Sequence, residues 1–378
     1  MDVLVCGAGV AGIALAYWLR HHGFTPTVVE RAPRVRAGGY AAGLRGEALD
    51  VLDRMALLEQ AEALGLRPGD TAMRDESVLI CAGDLEILRD DLAGLLYEAT
   101  RREVEYVFGD SIATLEQSAD DVRVTFDRGR PRRFDLVAGA DGLHSRTRSL
   151  AFGPHERFVR HLGLYTAVFS VPGRLGAEDD GRGYRVPGKA AAVLSTRDGT
   201  RARAALRFAS GPLAYDRDDA GQHERIVAER FAGEGRLIRL LLEQMRGAED
   251  LFFEANAQVE MDRWFSGRVV LLGDAAYCAA TVSGRGASQA LIGAYILAGE
   301  LAVGGDHARA FASYEREMRG FVAEHQHLGR EATDRFFLGT PSQEGFDRTT
   351  AVRPHLVRLK DYVPGFAAEQ PSPGRAAR

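Results

Sequence analysis

Residues 3–12 read VLVCGAGVAG. A short apolar run meets three glycines spaced G-x-G-x-x-G, at Gly7, Gly9 and Gly12, and a periodic apolar stretch (Ile13, Leu15, Ala16, Leu19) follows. Strand, glycine turn, helix is the context in which that spacing has a mechanism. The first glycine permits the tight turn, the second lets backbone approach a pyrophosphate, and the third lets helix and strand pack closely. Val10 and Ala11 open the helix, whose free N–H groups and positive end favour phosphate. Pro26–Glu30 reads as a second strand, completing a βα,β order. Its last residue, Glu30, can accept hydrogen bonds from both ribose hydroxyls and disfavours a 2′-phosphate. FAD or NAD therefore fits better than NADP, and this motif alone does not separate the first two.

Further along, residues 45–65 and 89–102 read as helices, the latter with Asp90 or Asp91 as N-cap. Strands follow over 104–126, where Val122, Val124 and Phe126 alternate with polar residues, and over Leu136–Ala140. From about 155 to 263 the alternation of helix and strand stops. Strand-like runs at 163–171, 190–195, 202–209 and 256–262 are interrupted by one helical stretch at 221–247, which predicts a mixed or antiparallel sheet inserted into the α/β part. The α/β pattern returns at Gly267 with RVVLLGD, and residues 307–335 form a long amphipathic helix pattern. The expected architecture is α/β: a discontinuous Rossmann-like domain from 1–154 and 264–305, a β-sheet substrate domain at 155–263, a C-terminal helical segment at 306–366 and a disordered tail at 367–378.

Composition excludes several classes. Net charge is 48 − 53 = −5, which gives no footprint for nucleic acid. Lys189 and Lys360 are the only lysines, and neither sits in a setting for a Schiff-base enzyme. Cys6, Cys81 and Cys278 are odd in number and widely spaced, against a disulfide framework or a metal site. The N-terminus lacks the basic region of a signal peptide. No apolar run is expected to approach the roughly 20 residues of a membrane helix, so a cytoplasmic protein without a membrane partner is expected.

Two later segments narrow the choice. Residues 135–148 (DLVAGADGLHSRTR) are a strand ending in Asp141-Gly142 and a basic turn. Residues 268–276 (RVVLLGDAA) are a strand ending in Gly273-Asp274. With the N-terminal glycines, in this order, they resemble the three-motif signature of the group A flavoprotein aromatic hydroxylases, which include p-hydroxybenzoate hydroxylase-like enzymes, polyketide hydroxylases and tetracycline-degrading monooxygenases. The resemblance spans residues 1–330 and is nearest to the tetracycline-monooxygenase type.

Within that resemblance, Arg89, opening RDDLAGLL, matches an arginine that reaches FAD, and Arg45 in GLRGEALDVL matches a basic residue beside the flavin. Ile112 matches a position whose backbone contacts adenine. Asp274 suits the ribityl hydroxyls. Gly284 and Gly286 let backbone approach the ring ahead of a helix whose positive end favours the negative charge of reduced flavin. The implied cofactor-binding set is Gly7, Gly9, Val10, Ala11, Gly12, Glu30, Arg31, Arg45, Arg89, Ile112, Asp141, Gly273, Asp274, Gly284, Arg285, Gly286, Ala287 and Ser288, with no metal.

The implied reaction is reduction of FAD by transiently docked NAD(P)H, addition of O₂ at flavin C4a, and oxygen delivery from the hydroperoxide to an aromatic or polyketide-like substrate. The cofactor carries this chemistry, so no triad is expected and no catalytic acid or base is named. His144 is expected to make a structural hydrogen bond. Two positions depart from the family: Thr281 stands where relatives carry proline, and Arg285 where they often carry Gln or Met. Arg285 either favours anionic flavin or points to solvent, the second being expected. A non-oxygenating scaffold, performing cyclisation or rearrangement, is the alternative. Oligomeric state is not legible.

Overall fold

The computed structural model describes residues 1–35, 40–65, 85–172, 184–195, 200–334 and 357–362. Six strands form one sheet in the order Phe265–Ser266, Val269–Leu271, Leu136–Gly139, Asp2–Cys6, Thr25–Glu30, Glu105–Phe108. All pairs are parallel except the first. The central run Val3–Cys6 is buried throughout, as a parallel strand covered on both faces must be. Helix Val10–His21 packs on it, and helix Gly286–Gly304 packs on that helix in turn.

Leu136–Gly139 and Val269–Leu271 are neighbours in the sheet although far apart in the chain. Between them lies a second, antiparallel sheet, ordered Tyr184–Val186, Lys189–Ser195, Arg201–Ala209, Val159–Pro172, Phe252–Val259. Successive residues alternate faces. Tyr165, Ala167, Phe169, Leu206, Phe208 and Phe253 pack beneath helices Ala220–Arg230 and Arg236–Met245. The opposite face turns to the first sheet: Phe252 meets the Tyr40 ring at 5.5 Å, and Glu254 meets His144. The expected fold class, an α/β part with an inserted antiparallel sheet and a C-terminal helix, is what the chain forms.

Some expectations are corrected. The helix expected over 45–65 is two, Glu47–Arg54 and Leu58–Leu64, separated by Ala56 at φ 56°. The helix expected over 221–247 likewise breaks near Gly233, whose φ of 81° suits glycine. The helix Arg89–Thr100 starts before the expected caps. Leu88 is its N-cap, and Asp90 and Asp91 lie in the first turn, where their charge still suits the helix end. One apolar run does reach membrane length: Gly286–Val303 has a mean hydropathy of 1.3 over 18 residues. It is mostly buried among other helices, so its apolar character is that of a core helix.

The long helix runs His307–Thr333 and buries Phe311, Tyr314, Met318, Phe321 and Val322, the predicted apolar face. The segment 357–362 docks on the core helix, where the Tyr362 ring occupies the space a Cβ on Gly299 would need. The expectations for Cys81 and residues 367–378 lie outside the described residues.

Candidate functional site

The glycine loop has the geometry that its spacing predicts. Gly7 has φ 106°, and a Cβ there would lie 2.6 Å from the Ala140 carbonyl oxygen. A Cβ on Gly12 would lie 1.9 Å from the Gly7 carbonyl oxygen. Gly9 differs. A Cβ on it would meet only the Arg89 guanidinium, at 3.9 Å. The space before the loop is open and faces a cation. Gly9 is also the N-cap of helix Val10–His21 and has no side chain to occupy the first-turn N–H groups.

Glu30 ends its strand beside this loop. One carboxylate oxygen accepts the Ala8 N–H and the other the Ala32 N–H, both at 2.9 Å. A carboxylate has about four acceptor positions, so capacity for hydroxyl donors remains. Arg31 next to it is exposed. The strand Ile112–Gln117 begins nearby, because the Asp110 N–H donates to the Glu30 carbonyl. The Ile112 side chain itself is in the core.

Arg89 lies at the centre of the site. Its guanidinium sits 5.7 Å from the Tyr40 ring centroid. The Asp274 carboxyl is pushed up by burial, and the positive charge of Arg89 opposes that shift. Asp274 follows Gly273, whose φ of 62° makes the turn; a Cβ on Gly273 would lie 2.9 Å from that of Ala11. A Cβ on Gly286 would be 3.7 Å from Asp274 Oδ1, so the carboxylate also faces the start of helix Gly286–Gly304.

That helix start forms the second half of the site. Ser288 Oγ donates to the Gly43 carbonyl at 3.0 Å and accepts the Arg45 N–H at 3.1 Å, which stitches it to the strand Ala41–Leu44. A Cβ on Gly43 would be 3.0 Å from the Gly284 carbonyl oxygen. Arg45 is buried and pairs with Glu86 at 3.1 Å. Burial raises the Glu86 carboxyl, against the pull of Arg45 and Arg285. The expectation that Arg285 points to solvent is therefore corrected. It is half-buried, and its charge is felt at Glu86 and His325. Burial first, then Arg285 and Arg45, lower the His325 imidazole to about 3. Two arginines and a helix N-terminus against one carboxylate favour negative charge here.

Thr281 starts the short 3₁₀ turn Thr281–Ser283, entered through Ala280 at φ 72°, ψ 149°. This loop is anchored from afar. Asn256 Oδ1 accepts the Val282 N–H at 3.2 Å, and Gln258 Nε2 donates to the Ala279 carbonyl at 3.2 Å. Gly284 follows in the left-handed region, and Ala287 packs partly buried against the core.

Asp141 plays a different part from the others. Its carboxylate accepts from Ser145 Oγ, Thr147 N and Thr147 Oγ1, so it braces its own turn. Its backbone packs against Gly7. His144 makes a 2.6 Å contact with Glu254 across the two sheets and stacks on His155 at 5.0 Å. Arg148, which sequence reasoning gave no role, is fully buried and donates to the carbonyls of Leu143 and Ala275, tying the second motif to the third. Glu86, Glu254, Asn256 and Gln258 were also missed. Each acts through a partner distant in sequence, so no local pattern marks it.

These residues fit a dinucleotide flavin: an open glycine turn at a helix start, an acid at a strand end, a second acid facing both helices, and a basic far end. A model of the FAD binding domain family matches residues 1–325. The chain belongs to that family, the group A flavoprotein monooxygenases. It is an FAD-dependent oxidoreductase. "Uncharacterized protein Rv1260" of Mycobacterium tuberculosis is 46% identical over 95% of this chain and 99% of its own. A "Flavin-dependent monooxygenase" from an unknown prokaryotic organism is 35% identical over 95% of this chain and 98% of its own. Among solved structures, tetracycline destructase Tet(55) superposes with a TM-score of 0.80 at 33% identity, covering 95% of this chain and 98% of that one.

Proposed function

We propose that this flavoprotein uses NAD(P)H and O₂ to hydroxylate or otherwise oxidise an aromatic or polyketide-like small molecule. The supporting observation is the apposition of one face of the antiparallel sheet, through Phe252, Glu254 and Asn256, to the elements that cradle the cofactor. A substrate bound between sheet and flavin would be enclosed at a domain interface, where such pockets form. The relatives named as monooxygenases, and the likeness to a tetracycline destructase, favour this over the non-oxygenating alternative.

With FAD bound, the chemistry available is hydride acceptance from NAD(P)H and activation of O₂. The protein's part is binding, orientation and charge. The N–H groups after Gly9 and the Arg89 guanidinium would hold the pyrophosphate, Glu30 the ribose and Asp274 the ribityl chain. Arg45, Arg285 and the start of helix Gly286–Gly304 would stabilise negative charge at the ring. The sheet face would exclude water. A cytoplasmic setting belongs to the same reading, in keeping with the free, buried thiols of Cys6 and Cys278.

The test is direct. Purified protein is mixed with NADH or NADPH and phenolic or polyketide candidates, and flavin absorbance, O₂ uptake and incorporation of ¹⁸O from ¹⁸O₂ are followed. Substrate-accelerated bleaching with ¹⁸O in the product is expected. Bound flavin that no nicotinamide reduces, with or without candidates, overturns the proposal. Within it, Asp274→Ala is expected to weaken FAD retention on gel filtration, and unchanged retention removes the role given to that carboxylate.

A further inference from the structure

The inserted antiparallel sheet and the helix Arg89–Thr100 are joined by a buried ion pair close to Arg89. Arg203, on the strand Arg201–Ala209, is 8% exposed. Its alternating position places it on the face that looks toward the cofactor cradle, opposite Ala202, Ala204 and Leu206. Nη2 donates to Asp90 Oδ2 at 2.8 Å. Nη1 serves Asp250 and Ser170 within the antiparallel sheet. Asp250 is fixed in its turn, since it also accepts the Ser170 N–H at 3.1 Å. One rigid guanidinium fork therefore has one prong anchored in the inserted sheet and the other in the first turn of helix Arg89–Thr100.

Asp90 directly follows Arg89, whose guanidinium faces Gly9 and influences Asp274. A shift of the first helical turn moves Arg89 relative to both. Asp90 is not the helix cap, so its carboxylate has another use than ending the helix. Burying an arginine with two carboxylates carries a large desolvation cost, and an apolar pair could have joined sheet and helix as stably. What the ion pair adds is direction: it fixes the distance between the substrate sheet and one particular turn.

We propose that Arg203 is a positioning residue that acts through Asp90 to hold Arg89 in its cofactor-binding pose, so that the substrate sheet sets FAD affinity. This rests on the reading of Arg89 as an FAD contact. The lever reaches Asp90 from the inserted sheet and acts by way of the neighbouring Arg89.

The experiment is a double-mutant cycle on FAD affinity, read by quenching of flavin fluorescence on titrating apoprotein. Asp90→Ala cuts the link while leaving Arg203 paired with Asp250. It is expected to weaken FAD about tenfold in the wild-type background and less than about twofold in Arg89→Ala, because coupled residues are not additive. A merely structural role would give the same fold-change in both backgrounds, and that result, or no change in either, overturns the proposal. If Arg89→Ala alone leaves FAD affinity intact, the reading of Arg89 fails instead, and the two failures are told apart. Should Asp90→Ala not fold, Arg203→Lys takes its place. A single ammonium cannot reproduce the two-pronged fork, and a loss that vanishes in Arg89→Ala is again expected.

Discussion

The loops Gly7–Gly12 and Ala280–Ser288 form the two parts of the proposed flavin site, and they are held by different physics. In the first, each constraint comes from close neighbours in the loop or from the strand beside it. Gly12 is glycine because the Gly7 carbonyl is in the way, and Gly7 because Ala140 is. In the second, the shape is imposed by Asn256, Gln258 and Gly43, which belong to other elements. A loop whose glycines are demanded by backbone packed against them announces itself in sequence, whereas a loop fixed by distant side-chain hydrogen bonds does not. The difference can be broken or sharpened by substitution.

The largest effect belongs to the self-contained loop. Gly12→Ala places a Cβ 1.9 Å from backbone oxygen, and neither atom sits on a flexible side chain. A loss above about 4 kcal/mol is expected, enough to remove folded flavoprotein. Soluble yield and FAD content check it. A stable, FAD-replete Gly12→Ala protein breaks the claim that this loop is sterically determined.

For the second loop the corresponding substitution is remote. Asn256 is fully buried, donates to Thr166 Oγ1 at 2.7 Å and accepts the Val282 N–H. Asn256→Ala strands both partners, and about 3 kcal/mol of stability is expected to go. FAD affinity should fall with it, although Asn256 lies on another sheet, because the Thr281–Ser283 turn loses its tether. Denaturant midpoints and flavin fluorescence measure the two effects. A stability loss with FAD affinity unchanged shows that the loop holds its shape without Asn256.

This contrast also marks what was legible. The parallel strands, the Val10–His21 helix, Glu30 at its strand end and the return of the sheet at Val269 could be read from periodicity and glycine spacing. The positions of Arg45, Arg89 and Asp274 came through family resemblance. The pairing of Arg45 with Glu86 and the facing of Arg89 and Asp274 are set by tertiary contacts that no window of sequence contains. The expected N-cap at Asp90 or Asp91 failed because the helix starts earlier, at Arg89 with Leu88 as its cap, and the Asp90 carboxylate is engaged by Arg203. Arg285 was expected in solvent, and the packing of helix His307–Thr333 beside its turn places it near His325.

His325 sharpens the comparison by pH. Its imidazole is lowered from 6.5 to about 3, so the folded state stays neutral while the unfolded chain takes up a proton below pH 6.5. The unfolded state then binds more protons, and stability falls as pH drops through that window. The slope from this group is about 1.4 kcal/mol per pH unit, or about 2 kcal/mol by pH 5. His325→Leu should flatten the acid limb by that amount and leave the Gly7–Gly12 loop unaffected. An unaltered limb in urea titrations at pH 7 and pH 5 means that His325 is not held neutral by burial, Arg285 and Arg45.

The smallest effect tests the second loop from within. Ala280 has φ 72° and ψ 149°, a region that residues other than glycine rarely enter. Its neighbours leave little choice. The Ala279 carbonyl packs where a Cβ on Gly329 would lie, at 2.3 Å, and accepts from Gln258, while the Ala280 carbonyl accepts Ser283 N and Oγ. Strain of about 1–3 kcal/mol is thus imposed from outside. Ala280→Gly removes it and costs about 0.4–1 kcal/mol in unfolded-chain entropy, for a net gain of about 1 kcal/mol. If the strained backbone also keeps the Thr281–Ser283 turn in register beside the flavin, the more stable variant will bind FAD less tightly. Stability rising while affinity falls separates a loop shaped by distant anchors from one shaped by itself. A loss of stability on Ala280→Gly shows instead that the turn is unstrained, and that the two loops differ less than their anchors imply.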